Sequence, residues 1–266
     1  MEIDIGGGKC QTTLFFADDQ VVVANDEEDM DYMFRKLKKE YEKWGLNMNM
    51  SKTEYLKIGD DEEDPELEIR TTKRCNEYKY LGSIISKEGT TKRDIEKRTQ
   101  QGKKAVNILS SLLWSKDIRQ ETKLTIYRTL VEPIMTYGAE VWQMTKKERK
   151  RIEVVEMDYL RRACGISKKD HIRNEDIRRR THTVYSSVDK IETRQLVWYG
   201  HVKRMNEDRW PKKALNYIPH QRRRRGRPSV AWEENVRHIM KDRAIKEDEW
   251  MDRKRWRSKC EKRQRL

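Results

Sequence analysis

Residues 14–24 read LFFADDQVVVA, and this pattern largely decides the fold of the N-terminal region. Aromatic and β-branched residues flank a polar centre, which is typical of two short strands joined at a tight turn. The turn then falls at Asp18-Asp19 and places two adjacent carboxylates on a β-hairpin. Asp-Asp turns are also common in ordinary surface hairpins, so the pair alone leaves a structural and a chemical role open.

The next segment predicts an amphipathic helix from Asp26 to Trp44. Its apolar residues recur at helical spacing, at Met30, Phe34, Leu37, Tyr41 and Trp44. Asn25 and Glu28 are placed as an N-terminal capping pair, and Gly45 is typical of the residue that ends a helix. We expect the apolar face of this helix to pack onto the neighbouring sheet.

Three later segments read as short strands, at Tyr55 to Ile58, Leu67 to Ile69 and Tyr78 to Ile85. An acidic turn and Pro65 separate the first segment from the second, and both are typical of chain reversals. Together with the hairpin, these strands predict one small sheet that carries one helix.

The pattern changes beyond Gly89, where apolar residues follow helical periods. A third region of dense charge begins near Lys168 and contains a further helical segment around Ile191 to Val202. The sequence therefore predicts an α+β protein in which helix dominates. It divides into a sheet-containing region, a helical region and a basic helical tail, at 1–88, 89–167 and 168–266.

Composition points to a polyanionic partner. Lysine and arginine number 60 against 46 aspartates and glutamates, a formal charge of +14 in 266 residues. Such an excess favours nucleic acid over a small neutral ligand. Hydrophobic residues make up only 35% and charged residues 40%, which predicts thin cores between helices with charged outer faces. Eight Trp and eleven Tyr argue against a disordered chain.

The cysteines indicate a reducing compartment. Cys10, Cys75, Cys164 and Cys260 lie far apart and form no CxxC pair, so neither a disulfide framework nor a zinc ribbon is indicated. No apolar run approaches the ~20 residues that span a bilayer, and the first residues do not resemble a signal peptide. We therefore expect an intracellular, nuclear protein with no membrane partner; its oligomeric state is not indicated.

Four short motifs follow one another in a fixed order. They are FADD at 16–19, GLNMN at 45–49, SKTE at 51–54 and YKYLG at 78–82. This ordered set resembles the distal palm of non-LTR retrotransposon reverse transcriptases. Each string is weak alone, and the resemblance rests on their order and spacing.

The resemblance implies RNA-directed DNA polymerisation, with an RNA template and a DNA primer as partners. Asp18 and Asp19 correspond to two aspartates that hold magnesium, a hard cation that prefers oxygen ligands. Two such ions activate the primer hydroxyl and stabilise the leaving phosphate. Lys52 corresponds to a lysine beside the incoming triphosphate, where a cation offsets charge. Without the resemblance, Lys52 reads as a solvated surface lysine.

The YKYLG motif corresponds to the hairpin that grips the primer in this family. The residues concerned are Tyr78, Tyr80, Leu81 and Gly82. The two tyrosines can also be ordinary strand residues that pack a sheet face.

The resemblance continues through residues 133–142, 198–202 and 225–228, and so covers almost the whole chain. The family's fingers and the palm strand with its third metal-binding aspartate have no counterpart before the FADD hairpin. A two-metal site depends on that carboxylate. We therefore expect a C-terminal fragment that binds nucleic acid and does not polymerise alone. The alternative is a non-enzymatic nucleic-acid-binding protein derived from such an element.

A basic run near the end of the chain predicts contact with the DNA backbone. It comprises Arg222, Arg223, Arg224, Arg225, Gly226, Arg227 and Pro228. The RGRP segment resembles an AT-hook, in which glycine permits close approach and arginines enter a narrow minor groove. A solvated basic linker and a nuclear-import signal are the alternatives.

Two further residue sets suggest roles in binding or packing. Cys164, His171, His182 and His201 match no closed four-ligand zinc pattern, so we expect no metal there. Five tryptophans are expected in the core or at helix interfaces: Trp114, Trp142, Trp198, Trp210 and Trp232. For Trp210, beside Pro211 and Lys212, a role as a base-stacking platform is the alternative.

Overall fold

A computed structural model describes residues 13–24, 26–59, 72–217 and 231–261. Helix dominates these residues and short strands form small sheets, which confirms the predicted α+β class. Two compact units are present. The sheet-containing unit holds described residues 13–24, 26–59, 72–78, 86–89 and 205–217, and the helical unit holds 79–85, 90–204 and 231–261. None of the described helices is long and apolar enough to cross a lipid bilayer.

The LFFADDQVVVA stretch forms the predicted hairpin, with its turn one residue earlier than the predicted Asp18-Asp19. Strands β1 (Thr13–Phe16) and β2 (Asp19–Val22) pair antiparallel, with Phe16 opposite Asp19. Ala17 and Asp18 make the turn, and Ala17 adopts a φ of 52°, in the left-handed region. Two central residues suffice to reverse the chain, which is the commonest hairpin connection.

Helix α1 (Glu27–Lys43) follows the hairpin, as predicted. Its N-cap is Asp26, whose carboxylate accepts a 2.8 Å hydrogen bond from the Asp29 amide. The predicted Asn25 and Glu28 pair was therefore wrong by one residue, because an aspartate beside the expected cap reaches the free amide. Asn25 itself lies outside the described residues.

One face of α1 packs toward strand β2, as expected. Phe34 is buried, and Leu37 and Tyr41 are half-buried. The Tyr41 hydroxyl donates a hydrogen bond to the side-chain oxygen of Gln20 on β2. This contact joins the helix to the strand that begins at Asp19.

The remaining strands do not form the single sheet that the sequence predicts. Among the described residues, β3 (Glu54–Tyr55) pairs parallel with β4 (Lys73–Arg74), and β5 (Glu77–Tyr80) forms a separate hairpin with β6 (Ser83–Ser86). The predicted strand from Tyr78 to Ile85 is therefore two strands. The predicted strand at 67–69 lies outside the described residues.

The β5–β6 reversal has a local physical cause. Leu81 and Gly82 adopt φ values of 46° and 89°, and a two-residue loop with both central residues at positive φ matches the twist of a hairpin. A continuous strand cannot contain two such residues.

Ten further helices follow in the described part of the chain. They are α2 (Lys92–Ile108), α3 (Ser110–Trp114), α4 (Gln120–Ile126), α5 (Glu132–Met135), α6 (Lys146–Ala163), α7 (Asn174–Arg180), α8 (Ser187–Lys203), α9 (Trp210–Asn216), α10 (Trp232–Asp242) and α11 (Arg253–Glu261). A π-helical turn, Tyr127–Val131, connects α4 to α5. Helix α8 confirms the helical segment predicted around Ile191 to Val202.

Among the described residues of the helical unit, two apolar clusters form much of the core. The first includes Val106, Val131, Val155, Leu160 and Ile177, and the second includes Ile95, Trp142, Ile152, Val188 and Ile191. Helices from the regions predicted at 89–167 and 168–266 contribute to both clusters. The domain boundaries drawn from the sequence remain predictions.

The last two helices pack against α8. The indole nitrogen of Trp256 donates a 2.9 Å hydrogen bond to the Leu196 carbonyl. Gly200 lies under the same indole, and a Cβ at this position would collide with the ring. Trp142 is buried, and Trp198, Trp210 and Trp232 are half-buried, as expected. The expectation was wrong for Trp114, which is 44% exposed because it ends the short helix α3.

Candidate nucleic-acid interface

The FADD hairpin presents its two carboxylates to solvent. Asp18 occupies the turn, Asp19 begins β2, and both side chains are exposed. Neither forms an ion pair with another residue in the described ranges. Phe15 and Phe16 are 64% and 61% exposed on the preceding strand. The hairpin therefore offers two accessible, uncompensated carboxylates next to an exposed apolar surface.

Two carboxylates supply only part of a two-metal site. Their oxygens suit a hard divalent cation such as magnesium. Within residues 13–24, 26–59, 72–217 and 231–261, no group of three or more His, Cys, Asp or Glu residues is arranged to hold a metal ion. Asp18 and Asp19 therefore fit a magnesium ion in ligand type, but the described residues do not complete its coordination.

Lys52 lies on a compact turn. The Lys52 amide donates a 3.1 Å hydrogen bond to the Asn49 carbonyl, and the Thr53 amide donates to the same oxygen at 3.0 Å. The Ser51 hydroxyl donates to the Asn49 side chain at 2.7 Å. The lysine side chain is exposed, and no hydrogen bond or ion pair joins it to Asp18 or Asp19.

The turn of the YKYLG motif is held by two side chains of the helical unit. Arg98 on α2 donates a 2.6 Å hydrogen bond to the Gly82 carbonyl, and the Tyr137 hydroxyl donates a 2.9 Å bond to the Leu81 carbonyl. The Arg98 guanidinium lies 4.3 Å from the centre of the Tyr137 ring, a favourable cation–π arrangement. Both turn carbonyls are thus satisfied from outside the hairpin.

Asp94 connects this turn to the core. It is 3% exposed, and its two oxygens accept hydrogen bonds from the Ile84 amide at 3.1 Å and the Trp142 indole at 2.9 Å. Its carboxylate also lies 3.8 Å from the guanidinium of Arg98, one helical turn later. A buried carboxylate with this many donors fixes strand β6 against α2.

Neither Asp94 nor Arg98 was identified from the sequence. Their spacing of four residues at the start of α2 is an available signal, since an Asp–Arg pair at this spacing faces one side of a helix. The signal does not reveal that the pair binds a β-turn.

The motif tyrosines have a mixed environment. Tyr78 and Tyr80 are half-buried, Lys79 between them is exposed, and Leu81 at the tip is 37% exposed. This alternation is what an ordinary strand with one packed face shows. Gly82 is required by its φ of 89°, and a Cβ there would lie 3.3 Å from both Arg98 Nη2 and Tyr137 Cε1.

Two further residue sets come from the sequence: the basic run, and the Cys and His residues for which no metal site is expected. Arg222 to Pro228, the predicted basic DNA-binding run, lie outside the described residues. His171 and His182 are exposed at positive φ values of 50° and 49°, and Cys164 is half-buried. Burial raises the pKa of the Cys164 thiol, which disfavours the thiolate that binds metals.

The fold and these sites describe a basic α+β protein with an exposed Asp-Asp hairpin and a clamped β-turn. No family model matches the chain, and no solved structure matches it. The chain is 27% identical over 248 residues to an uncharacterized transposon-derived protein from Caenorhabditis elegans. That alignment covers 86% of this chain and 85% of the worm protein.

Proposed function

We propose that the chain originates from a transposable element of the non-LTR retrotransposon type and binds nucleic acid through segments derived from a reverse transcriptase. Its similarity to a transposon-derived protein supports the origin. The excess of 60 basic over 46 acidic residues supports a polyanionic partner. An RNA template paired with a DNA primer is the partner that the motif order favours.

The observation that carries this proposal is the β1–β2 hairpin. Asp18 in its turn and Asp19 at the start of β2 are exposed without a counter-charge among the described residues, and carboxylate oxygens in this arrangement suit a hard cation. Bound magnesium would offset phosphate charge at this tip. Lys52, exposed on its own turn, is proposed as a second contact for phosphate.

The proposed activity is binding and not polymerisation by this chain alone. A two-metal reaction needs at least one further carboxylate that binds the metals directly, in addition to Asp18 and Asp19. The described residues contribute no third one. The hairpin would then bind a primer–template without extending it.

Primer extension tests this proposal directly. With magnesium, an RNA template and a DNA primer, we expect the chain to bind the hybrid and to show no nucleotide incorporation that depends on Asp18. Asp208→Ala serves as the matched control, since Asp208 is an exposed aspartate on a turn of the same unit. Incorporation that is lost in Asp18→Ala and kept in Asp208→Ala would show that the chain is a polymerase.

A second candidate is a non-enzymatic nucleic-acid-binding protein of the same origin. It is favoured by the helical unit, whose two apolar clusters bury a core without any residue of the Asp-Asp hairpin. The effect of magnesium on binding distinguishes the two candidate functions. Binding of a hybrid that strengthens with magnesium and weakens in the double variant D18A/D19A supports a reverse-transcriptase remnant. If neither magnesium nor the D18A/D19A substitutions changes the affinity for the hybrid, the non-enzymatic protein is supported.

The basic run at Arg222 to Arg225 is proposed to contact the DNA backbone and to favour a nuclear location. Four adjacent arginines are typical of both roles. Replacing these four arginines by glutamine in a fluorescent fusion should move the protein out of the nucleus. An unchanged distribution would remove the targeting role.

A further inference from the structure

A basic pocket lies on the helical unit around helix α7. Its volume is about 510 Å³, and its lining residues are His171, Ile172, Arg173, Asp176, Arg179 and Arg180. Three arginines against one aspartate give this pocket a net positive charge. The sequence does not predict this pocket, because charged residues on a helix are typical of any solvent-exposed face.

Both ends of the pocket are fixed to neighbouring helices. At one end, Arg161 of α6 donates a 2.6 Å hydrogen bond to the Ile172 carbonyl. At the other end, the Gln120 side chain of α4 donates a 2.8 Å bond to the Arg180 carbonyl. Between them, Ile177 is fully buried in the core. The backbone that carries the arginines is therefore held in place before any ligand arrives.

The arginines in and next to α7 differ in their contacts. Arg178 lies on the inner side, where it pairs with Glu156 at 2.8 Å. Arg173 and Arg180 are exposed, and neither forms an ion pair with another described residue. Arg179 pairs with Asp176 at 3.1 Å, but its side chain is 80% exposed, so the pair is weak.

The positive surface extends beyond the pocket at both ends. Lys168 and Lys169 precede His171 and are exposed, without an ion pair to a described residue. Arg119, also exposed, is adjacent to the glutamine that holds the Arg180 carbonyl. Asp170 and Glu175 interrupt these exposed cations, and a set of spaced cations suits an extended polyanion better than a single small anion.

We infer that this pocket binds phosphates of a nucleic-acid backbone. Guanidinium groups are weakly hydrated and match phosphate oxygens through paired N–H donors. A nucleic acid carries its charges at close, regular intervals, which fits cations both inside and beside the pocket. The inference rests on the proposed function for the class of ligand, and it adds a binding surface that is independent of the Asp-Asp hairpin and the RGRP run.

The test compares two double variants of the full chain. R173Q/R180Q removes the two unpaired arginines of the pocket, and K103Q/K104Q removes two exposed lysines of α2. Binding of a fluorescent duplex is measured over a range of salt concentrations. Each lost phosphate contact flattens the slope of log affinity against log salt by about 0.9 and weakens binding about 8-fold at 0.1 M salt.

We expect R173Q/R180Q to weaken binding about 60-fold at 0.1 M salt and to flatten the slope by about 1.8. K103Q/K104Q should change both quantities little, and the charge-preserving R173K/R180K should retain most of the slope. Equal losses in the two glutamine variants would overturn the inference, because they would indicate a general charge effect. If R173Q/R180Q keeps its affinity for nucleic acid but loses affinity for polyglutamate, the inference is also overturned, because the pocket then binds an acidic protein.

Failure of the inference is distinguishable from failure of the proposed function. If the wild-type chain binds a duplex and R173Q/R180Q binds it equally, only the pocket is rejected. If the wild-type chain binds neither a duplex nor an RNA–DNA hybrid at low salt, the proposed function is rejected and the pocket with it. Thermal unfolding of each variant establishes that it remains folded.

Discussion

Asp94 holds groups from two other elements with one carboxylate: the Ile84 amide on β6 and the Trp142 indole after α5. Its neighbour Arg98 reaches the Gly82 carbonyl. A motif turn that would otherwise be a free hairpin tip thereby becomes part of the helical core. Single buried charges of this kind are tolerated because each oxygen has a donor.

Glu156 carries a second buried carboxylate. Glu156 accepts hydrogen bonds from the Ser187 amide at 2.9 Å and from Arg178 at 2.8 Å. Burial nevertheless raises the pKa of Glu156 above its ordinary value of 4.5, and Arg178 offsets this only in part. By contrast, a hydrogen bond from Arg151 lowers the pKa of Glu96, despite the opposing effect of its burial.

These opposite shifts predict opposite effects of pH on stability. The folded state holds the Glu156 proton more tightly than the unfolded chain, so ionisation of Glu156 costs stability as pH rises above about 4.5. Wild type should therefore gain stability relative to Glu156→Gln as pH falls from neutrality toward that value. For Glu96 the sign reverses: wild type should lose stability relative to Glu96→Gln as pH falls below about 4.5.

Urea unfolding of wild type and both variants across this pH range measures the two differences. The comparison uses differences between each variant and wild type, since other carboxylates titrate in the same window. A stability difference between wild type and Glu156→Gln that is constant with pH would contradict the prediction for the buried site.

At the scale of elements, helix α1 packs against the β1–β2 hairpin through one face. Phe34 is buried on α1, Leu37 is half-buried, and Tyr41 bonds to Gln20 on β2. The apolar face of α1 therefore covers the strand that begins with Asp19.

Core truncations on α1 should follow this burial. Phe34→Ala should lower the free energy of unfolding by about 3 kcal/mol, the low end for buried aromatic residues. Leu37→Ala should cost about 1 kcal/mol, because the side chain is only half-buried. Leu46→Ala, at a 56% exposed position, is the control and should change stability by a few tenths of a kcal/mol. Denaturant unfolding followed by circular dichroism checks the order, and equal effects at positions 34 and 46 would contradict it.

Local patterns predicted the elements that local forces determine. The alternation around Asp18 and the spacing of Phe34 and Leu37 are each contained in one segment, so the hairpin and α1 could be read from sequence. The pairing of Tyr55 with Arg74 joins distant residues through the backbone. Side-chain pattern carries little information on such pairing, and the expected single sheet was wrong for this reason.

The candidate site shows the same division. Asp18, Asp19 and Lys52 could be selected as candidates because two short motifs contain them, and their role stays a prediction. The clamp on the Leu81–Gly82 turn depends on Arg98 and Tyr137, which are 16 and 56 residues away from the carbonyls they bind. Such contacts follow from the packing of whole helices and leave no local pattern.

At the scale of the whole molecule, the high charge content of the C-terminal helices makes their buried residues difficult to predict from the sequence. Residues 231–261 are dominated by charged side chains, yet Val236, Ile239 and Trp256 are fully or almost fully buried in the helical unit. A few apolar anchors suffice because each helix needs only one narrow face. Most of the charged side chains of these helices lie on the exposed faces, and Arg243 and Glu249 are buried exceptions.

The proposed contact of the basic run with DNA could depend either on the shape of the groove or on charge alone. The RGRP segment at 225–228 distinguishes the two possibilities, because a minor-groove hook depends on glycine. Gly226→Val keeps every charge but adds a branched side chain where the backbone must approach closely. Arg225→Lys keeps charge but replaces a weakly hydrated guanidinium by a strongly hydrated ammonium.

If RGRP is a hook, both substitutions should weaken binding to A·T-rich duplex more than to G·C-rich duplex, since the narrow A·T minor groove concentrates negative potential. A merely basic tail should bind both duplexes alike and should tolerate both substitutions. Affinities are measured at one fixed salt concentration, because salt alone changes them by orders of magnitude. Equal affinities of wild type and both variants for the two duplexes would eliminate the hook. The RGRP segment would then contribute only charge, and any shape-dependent recognition of DNA would have to come from other parts of the chain.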